Sequence, residues 1–231
     1  MNSALRQSAA HVFVESLTAP VLDDGDRHHL GRVLRLRVGQ VVSVSDGRGS
    51  WLTCRYEEDG ELQPSSAVIA EPIALPQLTV GFVAPKGDRP EWIVQKLTEI
   101  GIDRIVVLRS DRGVVRWADD RAERQLDRLR RVAREAAMQS RRVWLPEIDG
   151  PTPITTLRGQ TAALAEPDGA TLTLATPTVL IGPEGGWTAA ESAQFERHCR
   201  LGSTILRTET AAVVAAAQLA ALRDSDVQHS C

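Results

Sequence analysis

The sequence predicts an α/β protein: a mostly parallel sheet covered by helices, preceded by a small β-barrel. Three observations carry this expectation. From Gln77 onward, short apolar runs alternate with capped, helix-length segments, which is the grammar of a parallel sheet. Before that point the runs are short, alternating and β-branched, with turns between them. Joining the two regions is Glu71-Pro72-Ile73-Ala74-Leu75-Pro76, whose two prolines stiffen an extended link.

Composition narrows the function classes. Of 231 residues, 42% are hydrophobic and 25% charged, which excludes a disordered or collagen-like chain. Cys54, Cys199 and Cys231 lie far apart with no CxxC pair. A disulfide scaffold or zinc ribbon is thereby excluded, and a reducing compartment is expected. No apolar run reaches the roughly 18 residues of a membrane span. The N-terminus shows no basic-then-apolar leader. A cytoplasmic protein with no membrane partner is expected.

Taken in order, residues 1–10 are polar and expected to be disordered. Residues 11–72 make the first domain. Within it HVFVES, VLRLRVGQVVSVSD and WLTCRYEE read as strands, with turns at Asp46-Gly47-Arg48-Gly49 and Asp59-Gly60. Residues 73–222 make the second, in which 77–84 is strand-like. Asp88, Pro90 and Glu91 open a helix as cap, first-turn proline and capping-box partner, and Gly101 closes it. A short buried strand follows at 105–108, then a helix opened by Asp120 and Glu123 and running to Gln139. Residues 161–165 and 178–181 are strands. Thr188 and Glu191 form a capping box for a helix toward Arg200. Residues 204–206 are a strand, Thr208 caps a last, alanine-rich helix, and 223–231 is left as a tail.

The formal net charge is −3, which by itself argues against a nucleic-acid partner, but the charges are uneven. All but two of the basic residues (Lys86 and Lys96) are arginine, whose fork matches phosphate bidentately. From Arg104 to Arg142 there are twelve arginines against six acids, and from Arg27 to Arg37 four arginines, two histidines and no acid. His28 and His29 in that stretch fit RNA contact and simple turn polarity equally. On a helical wheel Ala122, Leu126, Leu129, Ala133 and Ala136 share one face, and Arg121, Arg124, Arg128 and Arg131 the adjoining one. A solvated side, supported by Asp127 and Glu135, and a phosphate-tracking ridge both fit that wheel.

Ligands of parallel sheets bind at the carboxyl ends of strands. Three such ends stand out: Leu164-Ala165-Glu166-Pro167, Ile181-Gly182-Pro183-Glu184-Gly185-Gly186-Trp187, and the stretch from Leu201-Gly202 to Ala211. Gly182, Gly185 and Gly186 let a ligand approach the main chain, although a tight strand-to-helix turn also explains them. The loop carries neither GKS nor GKT and is not GxGxxG, and Glu184 would repel phosphate; a neutral or cationic ligand suits it better. The histidines form no HExxH and no metal-spaced cluster with cysteine, so no metal is expected, and there is no GxSxG elbow.

Together these motifs resemble the RsmE-type 16S rRNA (uracil-N3)-methyltransferases of the SPOUT superfamily. The matching residues run in order: His29-Leu30 with Val33-Leu34-Arg35-Leu36 and Gly39; Lys86-Gly87-Asp88-Arg89; Gln95-Lys96 and Thr98-Glu99-Ile100-Gly101. Arg112 follows, then Arg134-Glu135-Ala136, Gln139-Ser140, Arg142 and Pro146. The most specific marks are Ile181 to Gly186 and Leu201-Gly202 through Leu206-Arg207-Thr208-Glu209-Thr210-Ala211. The resemblance covers residues 11–222. The chain departs from the pattern at His11, Leu97, Ile100, Val107-Leu108, Gly113 and Trp187, none of them in the glycine turns themselves.

The resemblance implies a PUA-like β-barrel at 11–72 that helps hold RNA and a SPOUT domain with a trefoil knot at 73–222. It implies S-adenosyl-L-methionine as cofactor, 16S rRNA of the small ribosomal subunit as partner (a U1498-type uridine, splayed out of its stack), and a homodimer through the knotted domain. Rival readings are a non-catalytic ribosome-binding module with a vestigial cofactor domain, and a SPOUT enzyme acting on another RNA. By the same resemblance the cofactor lies among Leu164, Ala165 and Glu166, residues 181–186 (Ile181, Gly182, Pro183, Glu184, Gly185, Gly186), and Leu201, Gly202, Ile205, Leu206 and Arg207. Arg207 and Glu209 are the catalytic candidates, one to stabilise a uracil anion and one to take the N3 proton. RNA contacts are expected at His29, Arg32, Arg35, Lys86, Arg89, Arg112, Arg134 and Arg142. Loss of the Arg112 side chain is expected to weaken RNA binding and spare the cofactor.

Overall fold

Strand pairing divides the chain into a five-stranded and a six-stranded sheet in the computed structural model, which describes residues 2–115, 117, 119–158 and 161–229. The first sheet belongs to a unit made of Met1–Ile73 with Arg134–Leu145, the second to a unit made of Ala74–Ala133 with Pro146–Cys231.

The first unit contains α1 (Ser3–Gln7), β1 (Ala10–Phe13), α2 (Asp24–His28), β2 (Val41–Ser45), β3 (Ser50–Tyr56), β4 (Leu62–Pro64) and β5 (Ile69–Ala70). Strand order is β1-β2-β3-β4 with β5 also on β3; β1 runs parallel to β2 and the other pairs are antiparallel. The expected turn at Asp46 forms: its carboxylate accepts from Arg48 N at 2.7 Å and Ser50 N at 3.1 Å. Gly49 there has φ +92°, and a Cβ would meet the Trp144 ring at 2.4 Å.

Two expectations for this unit are corrected. The amino terminus is not loose: Asn2 caps α1, and Leu5 is fully buried beside Trp51 and Val143. One well-placed leucine anchors a segment whose composition is otherwise polar. Residues 33–40 are not strand. Asp23 caps α2, a wide helical turn follows over His29–Val33, and β2 starts only at Val41. Leu30 is the residue this turn buries, while Val33 and Leu34 face outward and Arg35 adopts φ +53°.

His11 is a buried core residue. Its Nε2 donates to the Arg142 carbonyl at 2.9 Å, which leaves Nδ1 to accept from the Ser43 hydroxyl at 2.8 Å. Burial lowers its pKa from 6.5 to about 4. Above pH 6.5 the ring is neutral in both folded and unfolded chains. Between 6.5 and about 4 only the unfolded chain binds the proton, so stability falls as pH falls through that window. The full loss amounts to about 3 kcal/mol. Ring NMR is expected to show His11 neutral at pH 5; a midpoint near 6.5 would contradict the burial argument.

The second unit contains β6 (Thr79–Val83), α3 (Arg89–Ile100), β7 (Arg104–Arg109), α4 (Asp119–Ser140, whose residues from Arg134 on count with the first unit), β8 (Glu147–Pro153), β9 (Ala162–Thr171), β10 (Thr178–Ile181), α5 (Ala189–Ser192), β11 (His198–Arg200) and α6 (Thr208–His229). Strand order is β11-β9-β10-β6-β7-β8, all parallel. β6 and β10 are buried at every residue, as sheets covered on both faces require. One core joins Val80, Phe82 and Ile105 to Ile93 and Leu97 of α3, Leu126 and Leu129 of α4, and Ala212, Ala215, Ala216 and Leu219 of α6. The other joins Val106, Leu108, Leu164 and Leu180 to Ile154, Leu157, Trp187 and Phe195 from short segments. Among the described residues of these two cores, the long helices contribute to the first only.

Helix ends follow the sequence unevenly. Gly101 closes α3 with φ +107°. Asp88 makes no capping bond, however, and Glu91 instead pairs with Arg128 at 3.0 Å. Asp120, expected to open the next helix, falls inside α4, and its side chain lies outside those described. Thr188 and Glu191 do form the reciprocal capping box, but α5 ends at Ser192 and residues 198–200 are strand. The supposed tail is helical: α6 continues to His229, and Arg223 is buried against Asp103. Residues 230–231 lie outside the described residues. Among the described residues, no helix is long and apolar enough to cross a membrane.

Candidate active site

The second unit holds a cleft of about 350 Å³ where β9, β10 and the approach to α6 converge. Its first wall is an interruption of β9. Leu164 pairs with β10, but the β9–β11 ladder skips from Leu164 to Ala170, so residues 165–169 leave the pairing. Ala165, Glu166 and Pro167 from this bulge line the cleft. Gly169 closes the bulge where a Cβ would lie 2.5 Å from Cys199.

The second wall is the glycine loop after β10. Residues 181–187 all line the cleft. Pro183 O accepts from Gly186 N at 2.9 Å, with Gly186 at φ +68°, which turns the chain back sharply. A Cβ on Gly182 would meet the Trp187 ring at 3.0 Å, so the indole sits directly on the backbone. The Trp187 N–H is buried and has no partner among the described residues.

The third wall is the segment 201–206. Residues 204–206 are not the strand their β-branched residues suggest: among the described residues no strand pairs with them, and Ile205 is 90% exposed. The ends of the segment are tied down. Gln218 Nε2 donates to Leu201 O at 3.0 Å, and Arg207 O accepts from Ala211 N at 2.8 Å. Thr208 does not stand outside α6 as a cap; its hydroxyl donates to Gly182 O at 3.0 Å and joins the second and third walls.

Most of the expected cofactor residues therefore line one cleft. Leu164 does not, because its side chain is fully buried in the core. Arg207 lies exposed at the end of the third wall. Pro167, Trp187, Thr204, Thr208 and Ala211 line the cleft as well. Thr208 and Ala211 lie within the motif read from the sequence; nothing in it marked them as lining residues.

Charges around the cleft are paired. Arg89 Nη1 donates to Glu184 Oε1 at 2.9 Å and lies 3.6 Å from Glu209 Oε1. The bond to Glu184 raises the Arg89 pKa above its ordinary value, against some desolvation and with help from Glu209. The other Glu209 oxygen is buried with no partner among the described residues. Arg112 Nη1 donates to Gly185 O at 2.8 Å and Trp187 O at 3.2 Å. Asp111 N donates to Glu191 Oε1 at 2.9 Å. Burial pushes the Glu191 carboxyl up, but the N–H groups of Thr188 and Asp111 outweigh it and the net pKa is lowered.

The expected RNA contacts fall into two groups. His29, Arg32, Arg35 and Lys86 are exposed, the first three beside exposed Val33 and Leu34. The ridge Arg121, Arg124, Arg128 and Arg131 is also exposed, with Arg128 bound to Glu91. Arg89 and Arg112 instead engage the cleft. Arg134 is a strut of the first unit, gripping Asp26 at 2.6 and 3.2 Å and the Phe13 carbonyl at 3.1 Å. Arg142 is half-buried, with its carbonyl on His11.

Residues 72–220 match an RNA methyltransferase domain family, and residues 22–63 an RNA methyltransferase PUA domain. The chain is 32% identical over 218 residues to the ribosomal RNA small subunit methyltransferase E of Mycobacterium tuberculosis, covering 84% of this chain and 83% of that one. To the Bacillus subtilis protein of the same name it is 29% identical over 220 residues, covering 81% and 84%. Among solved structures it is similar to a ribosomal RNA small subunit methyltransferase E from Neisseria gonorrhoeae bound to S-adenosyl methionine, with TM-score 0.77, 26% identity and coverage of 92% and 97%. A probable rRNA-methyltransferase from Porphyromonas gingivalis superposes with TM-score 0.76 at 26% identity, covering 94% and 99%.

Proposed function

The chain belongs to the RNA methyltransferase family, and within it to the ribosomal RNA small subunit methyltransferase E group; from this premise we propose that it methylates N3 of a uridine in 16S rRNA, using S-adenosylmethionine. The observation that carries the reading is the three-walled cleft. Its walls offer what a flat adenine and a cationic sulfonium need: apolar faces, main-chain edges opened by glycine, and nearby carboxylates. The unpartnered Trp187 N–H is a donor awaiting an acceptor.

Ile181 and Leu206 would pack on the adenine, and Ile205, so exposed, would be covered by ligand or RNA. Main-chain groups of 182–186 and 201–206 would read its polar edge. When bound, the cofactor supplies an activated methyl group, so the protein's task is chiefly positioning and exclusion of water. Uracil N3 must lose a proton. Glu209, through its unpartnered oxygen, takes it, and Arg207 stabilises the uracil anion. His29, Arg32, Arg35, Lys86 and the α4 ridge grip phosphates. The working unit is a homodimer built through a knotted second domain, in the cytoplasm where ribosomes assemble.

The test has two arms. Calorimetry with S-adenosylmethionine is expected to show one site per chain. Incubation with small-subunit particles and labelled methyl donor, then mass mapping of the rRNA, is expected to place one methyl on a uridine N3. Cofactor binding with a methyl on another atom or another RNA would overturn the substrate assignment. RNA binding without cofactor binding would show a non-catalytic module.

A further inference from the structure

We propose that Arg112 is a positioning residue of the methyl-donor cleft rather than an RNA contact. Its guanidinium holds the carbonyls on either side of Gly186 and so fixes the loop that the cofactor must recognise. The inference rests on the reading of the cleft given above.

The turn at Gly185 and Gly186 cannot hold its shape through side chains of its own. Gly185 and Gly186 have none, and Gly186 sits at φ +68°, where the chain reverses. Its two neighbouring carbonyls, Gly185 O and Trp187 O, both turn to one nitrogen of Arg112, at 2.8 and 3.2 Å. A cation between two carbonyl oxygens fixes both peptide planes. The N–H groups of those planes are held as well, Gly186 N by Pro183 O at 2.9 Å and Thr188 N by Glu191 Oε2 at 2.8 Å, so the turn is fixed from both sides.

The turn that carries Arg112 is itself stapled to the same stretch. Asp111 N donates to Glu191 Oε1 at 2.9 Å, and Thr188 Oγ1 donates to Asp111 Oδ2 at 3.3 Å. Glu191 is 4% exposed and also closes the capping box of α5. Gly113 N donates to Ser110 O at 3.0 Å and closes the turn; a Cβ on Gly113 would lie 3.1 Å from that oxygen. The turn after β7 thus grips the glycine loop at Gly185 and Trp187, and the helix after it at Thr188 and Glu191. An arginine kept for phosphate would need neither the two carbonyls nor this scaffold.

The experiment compares the full-length protein with R112A, R112K and D111A. Calorimetry with S-adenosylmethionine is expected to show R112A binding about tenfold more weakly, the size of one charge-assisted hydrogen bond partly screened by solvent. In steady state the loss should fall on KM for the methyl donor, with kcat at saturation near that of the wild type. R112K should recover part of the affinity, since an ammonium reaches one carbonyl more readily than two. D111A removes the bond from Thr188 Oγ1 but keeps the main-chain bond to Glu191, so it should weaken cofactor binding in the same direction and by less than R112A. Affinity for a small-subunit rRNA fragment, and its dependence on salt, should be unchanged in all three. If R112A does not fold, R112K decides.

Cofactor affinity unchanged in the variants would overturn the proposal. So would weaker RNA binding with the log–log salt slope reduced by about one, the signature of a lost phosphate contact. A wild-type chain that binds no S-adenosylmethionine would instead overturn the reading of the cleft itself, so the two failures are told apart.

Discussion

Glu209→Gln is expected to lower the rate of methyl transfer at saturating RNA and cofactor by about 100-fold or more, the usual loss when a general base is removed. Glutamine keeps the size and most of the contacts of glutamate but cannot accept the N3 proton. The geometry favours Glu209 over Glu184. Glu184 is exposed and engaged by Arg89 at 2.9 Å, whereas Glu209 keeps one oxygen buried with no donor on it among the described residues. A buried acceptor left without a donor is uncommon in a native fold, and this oxygen lies open to a proton donor brought by the substrate. Single-turnover kinetics, with cofactor affinity measured beside them, make the check. A rate near that of the wild type would remove Glu209 from the chemistry.

Arg223→Ala is expected to destabilise the second unit by about 3 kcal/mol, because it takes the guanidinium away from a buried carboxylate. Arg223 Nη1 reaches Asp103 Oδ2 at 2.5 Å, Nη2 donates to Gly101 O at 3.1 Å, and the pair is about 90% buried on both sides. Asp103 in turn accepts from Leu78 N at 2.9 Å. One ion pair thus ties the late turns of α6 to the end of α3 and the approach to β6. Urea unfolding measures it, read as a lower midpoint at constant slope. Arg223→Lys should recover only part, since one ammonium cannot serve the carboxylate and Gly101 together. A midpoint left unmoved by Arg223→Ala would mean that the pair contributes nothing to stability.

Much of this molecule is legible in its sequence because local signals and tertiary structure agree. The capping box at Thr188 and Glu191, the left-handed stop at Gly101 and the buried runs of β6 and β10 are local chemistry that the fold keeps. The α4 wheel sorts correctly too, with Ala122, Leu126 and Leu129 buried and Arg121, Arg124 and Arg131 outside. Failures occur where distant partners decide. Residues 204–206 have strand-forming side chains but no neighbour to pair with, while His198–Arg200 becomes a strand because β9 offers it an edge. Leu5 falls in a segment whose composition reads as disordered, and Arg223 in what reads as a tail, because their partners, Trp51 and Asp103, lie far off in the chain. At the cleft the glycines announce themselves. The bonds from Arg112 to Gly185 and Trp187 do not, since nothing in an arginine's identity tells phosphate from carbonyl.

The discontinuity of the first unit governs how the protein can be made. Arg134 supplies the clamp on Asp26, Arg142 the carbonyl for His11, and Val143 and Trp144 the cover for Leu5 and Trp51. A ribosome delivers residues in order, so a nascent chain that has emerged only as far as Ile73 possesses every strand of the first sheet and none of these partners. The first third of the chain therefore cannot complete these contacts until residues 134–145 have emerged. It waits, with His11 Nε2 and the Asp26 carboxylate lacking these partners, for a segment encoded in the middle of the gene, and a fragment cut at the linker would not receive it.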